Sequence, residues 1–283
     1  MNLQQINSLY FIGIGGIGMS AIARYFLSKG AKVSGYDKTP TQLTKQLENE
    51  GAAIHYEENI NLVPKEVDVV VYTPAIPQNH AEYIYYKENN YLVVKRSDIL
   101  QWISNNSFNI CVAGTHGKTT TSAMIGHLLR YSGIGCSAFL GGIATNYNTN
   151  FWSSANNVVV VEADEYDRSF LKLSPDIAII TSMDADHLDI YGTAEEVENA
   201  FISFSGKIKK GGTLIYKATI SRKEELKADK LIAYNTVNHG FNCHVAQWQV
   251  INGSYVFNVQ ANDFILENIV LNMGGIHNIE NAL

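Results

Sequence analysis

Ala113-Gly-Thr-His-Gly-Lys-Thr-Thr-Thr121 follows an apolar stretch, Asn109–Val112, that predicts a β-strand, and it precedes an amphipathic stretch that predicts an α-helix. This order places backbone N–H groups, a lysine and a hydroxyl at a helix N-terminus, where a polyphosphate is bound well. The two glycines let the main chain approach phosphates closely, Lys118 can reach the β and γ oxygens, and Thr119 suits Mg²⁺. The segment therefore predicts an ATP or GTP site. The alternative is a Gly/Thr-rich turn that only caps a helix.

Length and composition favour a globular chain of about two domains. The 283 residues include 46% hydrophobic side chains, which is enough for a large core. A net charge of −6 without a basic stripe argues against nucleic acid or an anionic membrane as the main partner. Three scattered cysteines fit a reduced, cytoplasmic setting. We identify no targeting segment, and no apolar run reaches the roughly 20 residues that membrane insertion requires.

Alternating strand and helix patterns predict an α/β fold with two parallel sheets. Residues 1–107 form the first predicted domain, which is Rossmann-like, and the polar stretch Ser104–Ser107 marks its end. Residues 108–283 form a P-loop ATPase-type α/β domain. The dipeptide Asn252-Gly253 between two β-rich runs predicts a hairpin, and therefore an antiparallel flank on the second sheet. The predicted elements are strands 10–14, 32–36, 67–72, 109–113, 158–161, 177–181, 213–216, 244–250 and 255–259, and helices 20–29, 42–50, 118–131 and 194–205.

A glycine-rich turn follows the first predicted strand. Gly13-Ile-Gly15-Gly16-Ile-Gly18 has the G-x-G-x-x-G spacing, and Asp37 closes the second strand. The pattern indicates a diphosphate at a helix N-terminus and a carboxylate near a ribose. A dinucleotide and a UDP-sugar both supply these groups. The alternative is that the glycines only allow tight packing of strand and helix.

Acidic side chains follow two predicted strands of the second domain. Val158–Val161 leads into four carboxylates, of which Glu162, the first residue off the strand, is the best placed to bind Mg²⁺. A solvated acidic loop is the alternative. Ile177–Thr181 leads into a second acidic cluster that contains His187, a candidate for a second divalent ion or for contact with a γ-phosphate.

Near the end of the sequence, His277, Asn278 and Asn281 share one side of a short predicted helix. Amide side chains suit adenine, whose edge offers donors and acceptors. The alternative is an ordinary helix cap. The sequence stops within this helix pattern, so we expect a piece of a longer protein.

Taken together, five segments resemble the motifs of the Mur ligase family, in the family's order. The segments are Gly13–Ser20, Gly114–Thr121, Glu162–Phe170, Asp186–Asp189 and His277–Leu283. The segment Gly114–Thr121 has the family's own form of the P-loop, G-T-x-G-K-T-T, which accounts for Val112 where the general P-loop pattern has glycine. The resemblance implies a UDP-sugar-binding first domain, a Mg-ATP-binding central domain, and a C-terminal Rossmann-like domain that is missing from this sequence.

The resemblance is closest to members that use ATP to join L-alanine to the lactyl carboxylate of UDP-N-acetylmuramate through an acyl phosphate, a step of peptidoglycan precursor synthesis. It implies catalytic roles for Lys118, Glu162 and His187, and metal binding by Thr119, Glu162 and His187. The implied ATP-binding residues are Gly114, Thr115, His116, Gly117, Lys118, Thr119, Thr120, Asn278 and Asn281. The implied UDP-sugar-binding residues are Gly13, Gly15, Gly16, Gly18, Met19, Ser20, Asp37, Arg96, Gly141 and Gly142. Without the third domain, we expect the chain to lack full activity.

Three alternatives stay open. Tyr166 stands where many alanine-adding members have serine, and its surroundings also occur in the recycling ligase that attaches a preformed tripeptide. The first glycine loop has the alanine-adding form, which favours alanine. A non-catalytic nucleotide-binding fragment and an NAD-dependent oxidoreductase are the other two readings. The sequence makes no prediction of oligomeric state.

Overall fold

The computed structural model describes residues 3–237, 240–262 and 264–283, and these divide into two compact units. The first unit comprises the residues up to Ser107 together with Ile134–Val159. The second comprises Phe108–Gly133 and Val160–Leu283. The chain therefore leaves the first unit after Ser107, returns to it for one hairpin, and leaves it again.

The first unit is built on a parallel sheet of five short strands. Its elements are β1 (Ser8–Ile12), α1 (Ile17–Ser28), β2 (Lys32–Tyr36), α2 (Gln42–Asn49), β3 (Ala53–His55), β4 (Val69–Tyr72), α3 (Ala81–Glu88), β5 (Val93–Lys95) and α4 (Arg96–Asn105). The strand order is β3-β2-β1-β4-β5, with parallel pairing throughout. The order reverses at β1, so the glycine loop that follows β1 lies at a switch point, where α/β sheets bind ligands.

An aromatic core holds this sheet together. Tyr10, Tyr36 and Tyr86 are buried with Ile12 and Val70. The hydroxyl of Tyr10 donates to the buried Glu82 carboxylate at 2.5 Å. Burial and this acidic partner raise the pKa of Tyr10 well above its usual range.

The returning hairpin of the first unit consists of β7 (Ser137–Ala144) and β8 (Thr149–Trp152). Both strands pack against α1. Phe139 and Phe151 form a cross-strand pair, and Tyr25 of α1 contacts both rings, the first in a tilted and the second in an edge-to-face arrangement. The sequence patterns did not predict either strand.

The second unit is built around a long mixed sheet. Its elements are β6 (Phe108–Ala113), α5 (Lys118–Tyr131), β9 (Val158–Glu162), β10 (Ile177–Ile180), α6 (Leu188–Tyr191), α7 (Ala194–Ser205), β11 (Thr213–Lys217), β12 (Lys230–Asn235), β13 (Cys243–Ile251), β14 (Ser254–Ala261), β15 (Phe264–Leu271) and α8 (His277–Asn281), with a 3₁₀ segment at Tyr166–Lys172. Within this unit the strands run in the order β15-β14-β13-β12-β11-β10-β6-β9. Pairing is parallel from β6 through β10, β11 and β12 to β13, and antiparallel from β13 to β15.

The predicted α/β fold and its antiparallel flank are therefore confirmed. Helices α5 and α7 begin and end at the predicted residues. One detail was wrong: Ser104 and Asn105, taken as the start of a linker, are the last residues of α4. The part of the chain that the structure describes contains no helix long and apolar enough to cross a membrane.

Candidate functional site

The loop between β6 and α5 has the backbone geometry of an anion cradle. Gly117 stands at the N-cap of α5 with φ 83°, and Gly114 has φ 138°, both in the left-handed half of backbone space. A Cβ on Gly117 would lie 2.6 Å from the Asn281 side-chain oxygen. The loop therefore requires glycine for conformation and for space, and it leaves the first N–H groups of α5 available to an anion.

Lys118, the first residue of α5, points back across this loop. Its ammonium donates to the Gly114 carbonyl at 2.7 Å and lies 2.8 Å from the Glu165 carboxylate. Glu165 is only 1% exposed and Lys118 is 14% exposed. Glu165 is one of the four carboxylates that follow β9, and no role was predicted for it, because the 3₁₀ segment that it precedes leaves no periodic signal in the sequence.

Thr119 pairs with the acid at the end of β9. Its hydroxyl lies 2.9 and 3.0 Å from the two carboxylate oxygens of Glu162. Strands β6 and β9 are neighbours, so their carboxyl ends bring the two side chains to one edge of the sheet. A hydroxyl and a carboxylate at this separation form a hard-oxygen donor set that fits Mg²⁺.

Two hydroxyls that the sequence analysis did not single out brace the loop from the end of β10. Ser182 accepts from the His116 N–H at 2.8 Å and exchanges a hydrogen bond with Thr115 at 2.8 Å. Thr181 lies within hydrogen-bond distance of the Ala113 and His116 carbonyls. Both side chains are largely buried, so the loop is held in shape without a ligand.

His187 lies beside Glu165 rather than in a group with Glu162. Its backbone is left-handed (φ 51°), and its Nε2 is 3.8 Å from Glu165 Oε1 and 3.9 Å from Asp186 Oδ2. In the described ranges, Glu165, Asp186 and His187 form a group whose possible ligand atoms lie within 4.8 Å of one another. The Tyr191 hydroxyl donates to the Glu165 carbonyl at 2.6 Å, and burial followed by the Glu165 charge raises the pKa of Tyr191 to about 12.

The two asparagines of α8 have different surroundings. The Asn278 amide is mostly buried and donates to the Gly274 carbonyl at 2.6 Å; it does not cap α8, because Ile276 is the N-cap residue and makes no side-chain capping bond. Asn281 donates to Asn278 at 3.3 Å, and its side-chain oxygen is the atom next to Gly117. Asn281 therefore lies at the P-loop, whereas Asn278 supports the turn that leads into α8.

The glycine loop of the first unit forms a separate candidate site. Gly13 has φ 87°, and its N–H donates to the Tyr36 carbonyl at 2.8 Å. The Asp37 carboxylate accepts from the Gly15 N–H at 2.7 Å, so it closes the loop in this structure. A Cβ on Gly18 would collide with the guanidinium of Arg96, which places that cation at the start of α1.

The other residues predicted to bind the UDP-sugar lie outside the glycine loop or point away from it. Met19 and Ser20 are buried on the inner side of α1, where Ser20 bonds to the Ile17 carbonyl and to Asn150. Gly141 is exposed and Gly142 half-buried on β7. In the structure, Gly141 and Gly142 are therefore accessible and Arg96 lies beside the glycine loop. Met19 and Ser20 instead point into the first unit.

The sequence matches one known protein family over nearly all of its length. Residues 8–108 match the description "Mur ligase family, catalytic domain", and residues 112–283 match "Mur ligase middle domain". The chain belongs to the Mur ligase family. Among Mur ligase relatives, the UDP-N-acetylmuramate–L-alanine ligase of Flavobacterium johnsoniae is 48% identical over 100% of this chain and 62% of its own length. The ligase of the same name from Phocaeicola vulgatus is 46% identical over 100% of this chain and 63% of its own length.

Solved Mur ligase structures agree with the fold. The UDP-N-acetylmuramate-alanine ligase of Thermotoga maritima superposes with a TM-score of 0.83 at 27% identity, covering 97% of this chain and 62% of that one. A UDP-N-acetylmuramate:L-alanyl-γ-D-glutamyl-meso-diaminopimelate ligase from Neisseria meningitides has the same fold, with a TM-score of 0.86 at 22% identity and coverage of 98% and 91%. The chain spans about 62% of the length of the curated relatives it matches.

Proposed function

We propose that this chain carries the UDP-sugar and ATP sites of a ligase that joins L-alanine to UDP-N-acetylmuramate for peptidoglycan synthesis. The observation that carries the proposal is the arrangement at the β6–α5 loop. Lys118 is paired with the buried Glu165, and the next residue, Thr119, is bonded to Glu162. The loop before them is held by a hydrogen bond from the His116 N–H to Ser182. Curated relatives of that name, at 42–48% identity across nearly all of this chain, support the choice of substrates.

The chemistry needs positioning and charge neutralisation more than covalent help from the protein. A carboxylate oxygen of the sugar attacks the γ-phosphorus of ATP, and ADP leaves. The amine of L-alanine then attacks the carbonyl carbon of the acyl phosphate, and inorganic phosphate leaves as the C–N bond forms. Lys118 is the cation placed to stabilise charge on the migrating phosphoryl group. The backbone N–H groups that follow Gly117 are placed to hold the neighbouring phosphates.

Two sets of side chains suit divalent cations. Thr119 and Glu162 would hold one Mg²⁺, and His187 would join Glu165 and Asp186 at a second ion. Bound Mg²⁺ supplies positive charge that offsets the charge on the phosphates. Glu165 already faces Lys118, so its carboxylate is shared between the lysine and the second cation set.

For the UDP-sugar we propose the glycine loop of the first unit, with Gly13, Gly15, Gly16 and Gly18 around the diphosphate, Arg96 beside it, and Gly141 and Gly142 on the muramyl side. Asp37 would then exchange its bond to the Gly15 N–H for a ribose hydroxyl. Met19 and Ser20 would act by supporting α1. Asn281 is our candidate for the adenine side of the ATP site, supported by Asn278.

Residues 1–107 and 108–283 are our proposed domains, and the division of compact units after Ser107 supports the boundary. Hairpin β7–β8 lies later in the sequence, but it packs with the first domain. We place the reaction in the cytoplasm, where ATP and nucleotide sugars are available.

The test is phosphate release from ATP in the presence of UDP-N-acetylmuramate, with and without L-alanine. We expect release that depends on both the sugar nucleotide and L-alanine when the protein includes all regions that its relatives have. For the chain as described here we expect binding of both nucleotides. Release that depends on a tripeptide instead of L-alanine would favour the recycling ligase and contradict the proposal.

A further inference from the structure

We propose that Lys217 and Glu280 form a positioning pair of the ATP site, which holds α8 beside β11 and so keeps Asn281 at the P-loop. The inference deepens the proposed function and rests on it. Neither member of the pair is among the residues that we propose to contact ATP. All of these residues belong to the second compact unit.

Helix α8 depends on other elements for its position. It comprises only His277–Asn281, its N-cap residue Ile276 makes no side-chain capping bond, and helices this short are marginal by themselves. Ile279 is 1% exposed and packs against apolar side chains of β13 and β14. This contact anchors α8 on the antiparallel flank of the sheet.

An ion pair ties the same helix to the parallel part of the sheet. The Lys217 ammonium donates to the Glu280 carboxylate at 3.0 Å, and the two side chains are 28% and 22% exposed. Lys217 is the last residue of β11, where it stands in register with Tyr234 of β12. Burial, followed by the Glu280 charge, raises the pKa of Tyr234 above its usual range. The Glu280 carboxylate therefore lies at the carboxyl ends of β11 and β12, the edge at which ligands bind in such sheets.

The next residue of α8 lies at the P-loop. The Asn281 side-chain oxygen is 2.6 Å from the position that a Cβ on Gly117 would take. In the sheet, β11 stands between β13 and β6, the strand that leads into the P-loop. Among the described residues, the other side-chain hydrogen bonds of α8 stay within residues 274–281. The ion pair is therefore the polar contact that holds α8 toward the P-loop side of its apolar anchor.

The bonds that shape the P-loop do not involve this pair. Lys118 bonds to the Gly114 carbonyl and to Glu165, and the remaining loop bonds reach the ends of β9 and β10. A triphosphate without a nucleoside would be held by the loop alone, whereas ATP would also reach Asn281 with its adenine. A displaced α8 should therefore weaken binding of ATP and leave binding of inorganic tripolyphosphate nearly unchanged.

The experiment is calorimetric titration of the chain and of Glu280→Ala with ATP and with inorganic tripolyphosphate, each with Mg²⁺. We expect the affinity for ATP to fall about fivefold, as for loss of one ordinary hydrogen bond, and the affinity for tripolyphosphate to change less than about twofold. Loss of an acid beside an anion site would by itself strengthen binding of both ligands, so the expected fall has the opposite sign to that electrostatic effect. Alanine is a good helix former, so the change does not disfavour α8 itself.

Two further variants complete the design. Glu198→Ala is the matched control, because Glu198 is a helical glutamate of α7 that is also 22% exposed and lies 3.5 Å from its partner Arg222. It should leave both affinities unchanged. The double variant Lys217→Glu/Glu280→Lys reverses the pair and should restore the ATP affinity to within about twofold, since opposite charges attract equally in either orientation.

An equal fall for both ligands, unchanged ATP affinity in Glu280→Ala, or no recovery in the reversed pair would overturn the inference. If Glu280→Ala does not fold, Glu280→Gln replaces it, with the same expected and contrary results. Failure of tripolyphosphate to bind the unmodified chain would also count against us, because the loop would then not hold phosphates by itself. If the unmodified chain does not bind ATP, the proposed function itself fails, and that outcome is distinct from the others.

Discussion

At the scale of single residues, Lys118 has two tasks that different measurements can separate. Its ammonium neutralises Glu165, which is 1% exposed, and it also bonds to the Gly114 carbonyl of its own loop. A buried carboxylate that loses its cation is strongly destabilising. The lysine proposed for phosphoryl transfer therefore also contributes to the stability of the second unit.

We expect Lys118→Ala to lower the affinity for ATP at least tenfold, since charge-assisted bonds to phosphate are among the strongest in proteins. The same change should lower the free energy of unfolding by about 3 kcal/mol, because Glu165 is left without its partner. Affinity for UDP-N-acetylmuramate should stay within about twofold of the unmodified chain. Calorimetry with each ligand and denaturant unfolding measure the three quantities.

Lys209→Ala is the matched control for this prediction. The Lys209 ammonium lies 2.7 Å from Asp176, directly before β10, so this lysine–acid pair is at the amino end of the strands. Its loss should leave ATP affinity unchanged, because P-loop ligands bind at the carboxyl ends. Equal ATP affinity in Lys118→Ala and the unmodified chain would contradict the assignment.

At the scale of elements, the two ends of α5 both depend on glycine, for different reasons. Gly117 at the N-cap and Gly133 after the last turn have φ values of 83° and 80°. A Cβ on Gly133 would meet open space, whereas one on Gly117 would meet Asn281. An alanine at Gly133 would therefore introduce backbone strain alone, whereas an alanine at Gly117 would introduce strain and a collision at the proposed ATP site.

We expect Gly133→Ala to cost about 1–2 kcal/mol in the free energy of unfolding and to leave ATP affinity unchanged. Gly117→Ala should cost at least as much and also abolish detectable ATP binding, because the methyl group displaces Asn281 and the loop. Thermal unfolding and calorimetry on both variants check this. ATP affinity that falls equally in the two would show that strain alone is responsible.

The sequence was sufficient for elements with a long periodic pattern and insufficient for those fixed by neighbours. Helix α5 lies between Gly117 and Gly133, and α7 begins after the capping Thr193 and buries an apolar face, so both ends of each helix were predicted. Strands β3 and β5 have three residues each, too few for alternation to be visible. Hairpin β7–β8 has glycines where a strand pattern expects branched side chains, and it is held by packing on α1 that no local signal reveals.

At the scale of the whole molecule, sequence motifs located both candidate sites because each lies where a strand ends and a helix begins. The β6–α5 loop and the β1–α1 loop were predicted from their glycines, from nearby polar residues, and from their position between a predicted strand and a predicted helix. The partner of Lys118 was not, because Glu165 reaches the loop through a 3₁₀ segment with left-handed Asp167 and Arg168. The bond between Ser20 and the buried Asn150 was also missed, since one buried asparagine has no pattern along the chain.

We propose that the Gly13–Gly18 loop of this Mur ligase chain binds a UDP-sugar, although its G-x-G-x-x-G spacing is shared with dinucleotide sites. The most direct test is calorimetric titration of the chain with UDP-N-acetylmuramate and, separately, with NAD. We expect saturable binding of the sugar nucleotide at one site per chain and no heat of binding with NAD. Saturable binding of NAD with none of UDP-N-acetylmuramate would contradict it.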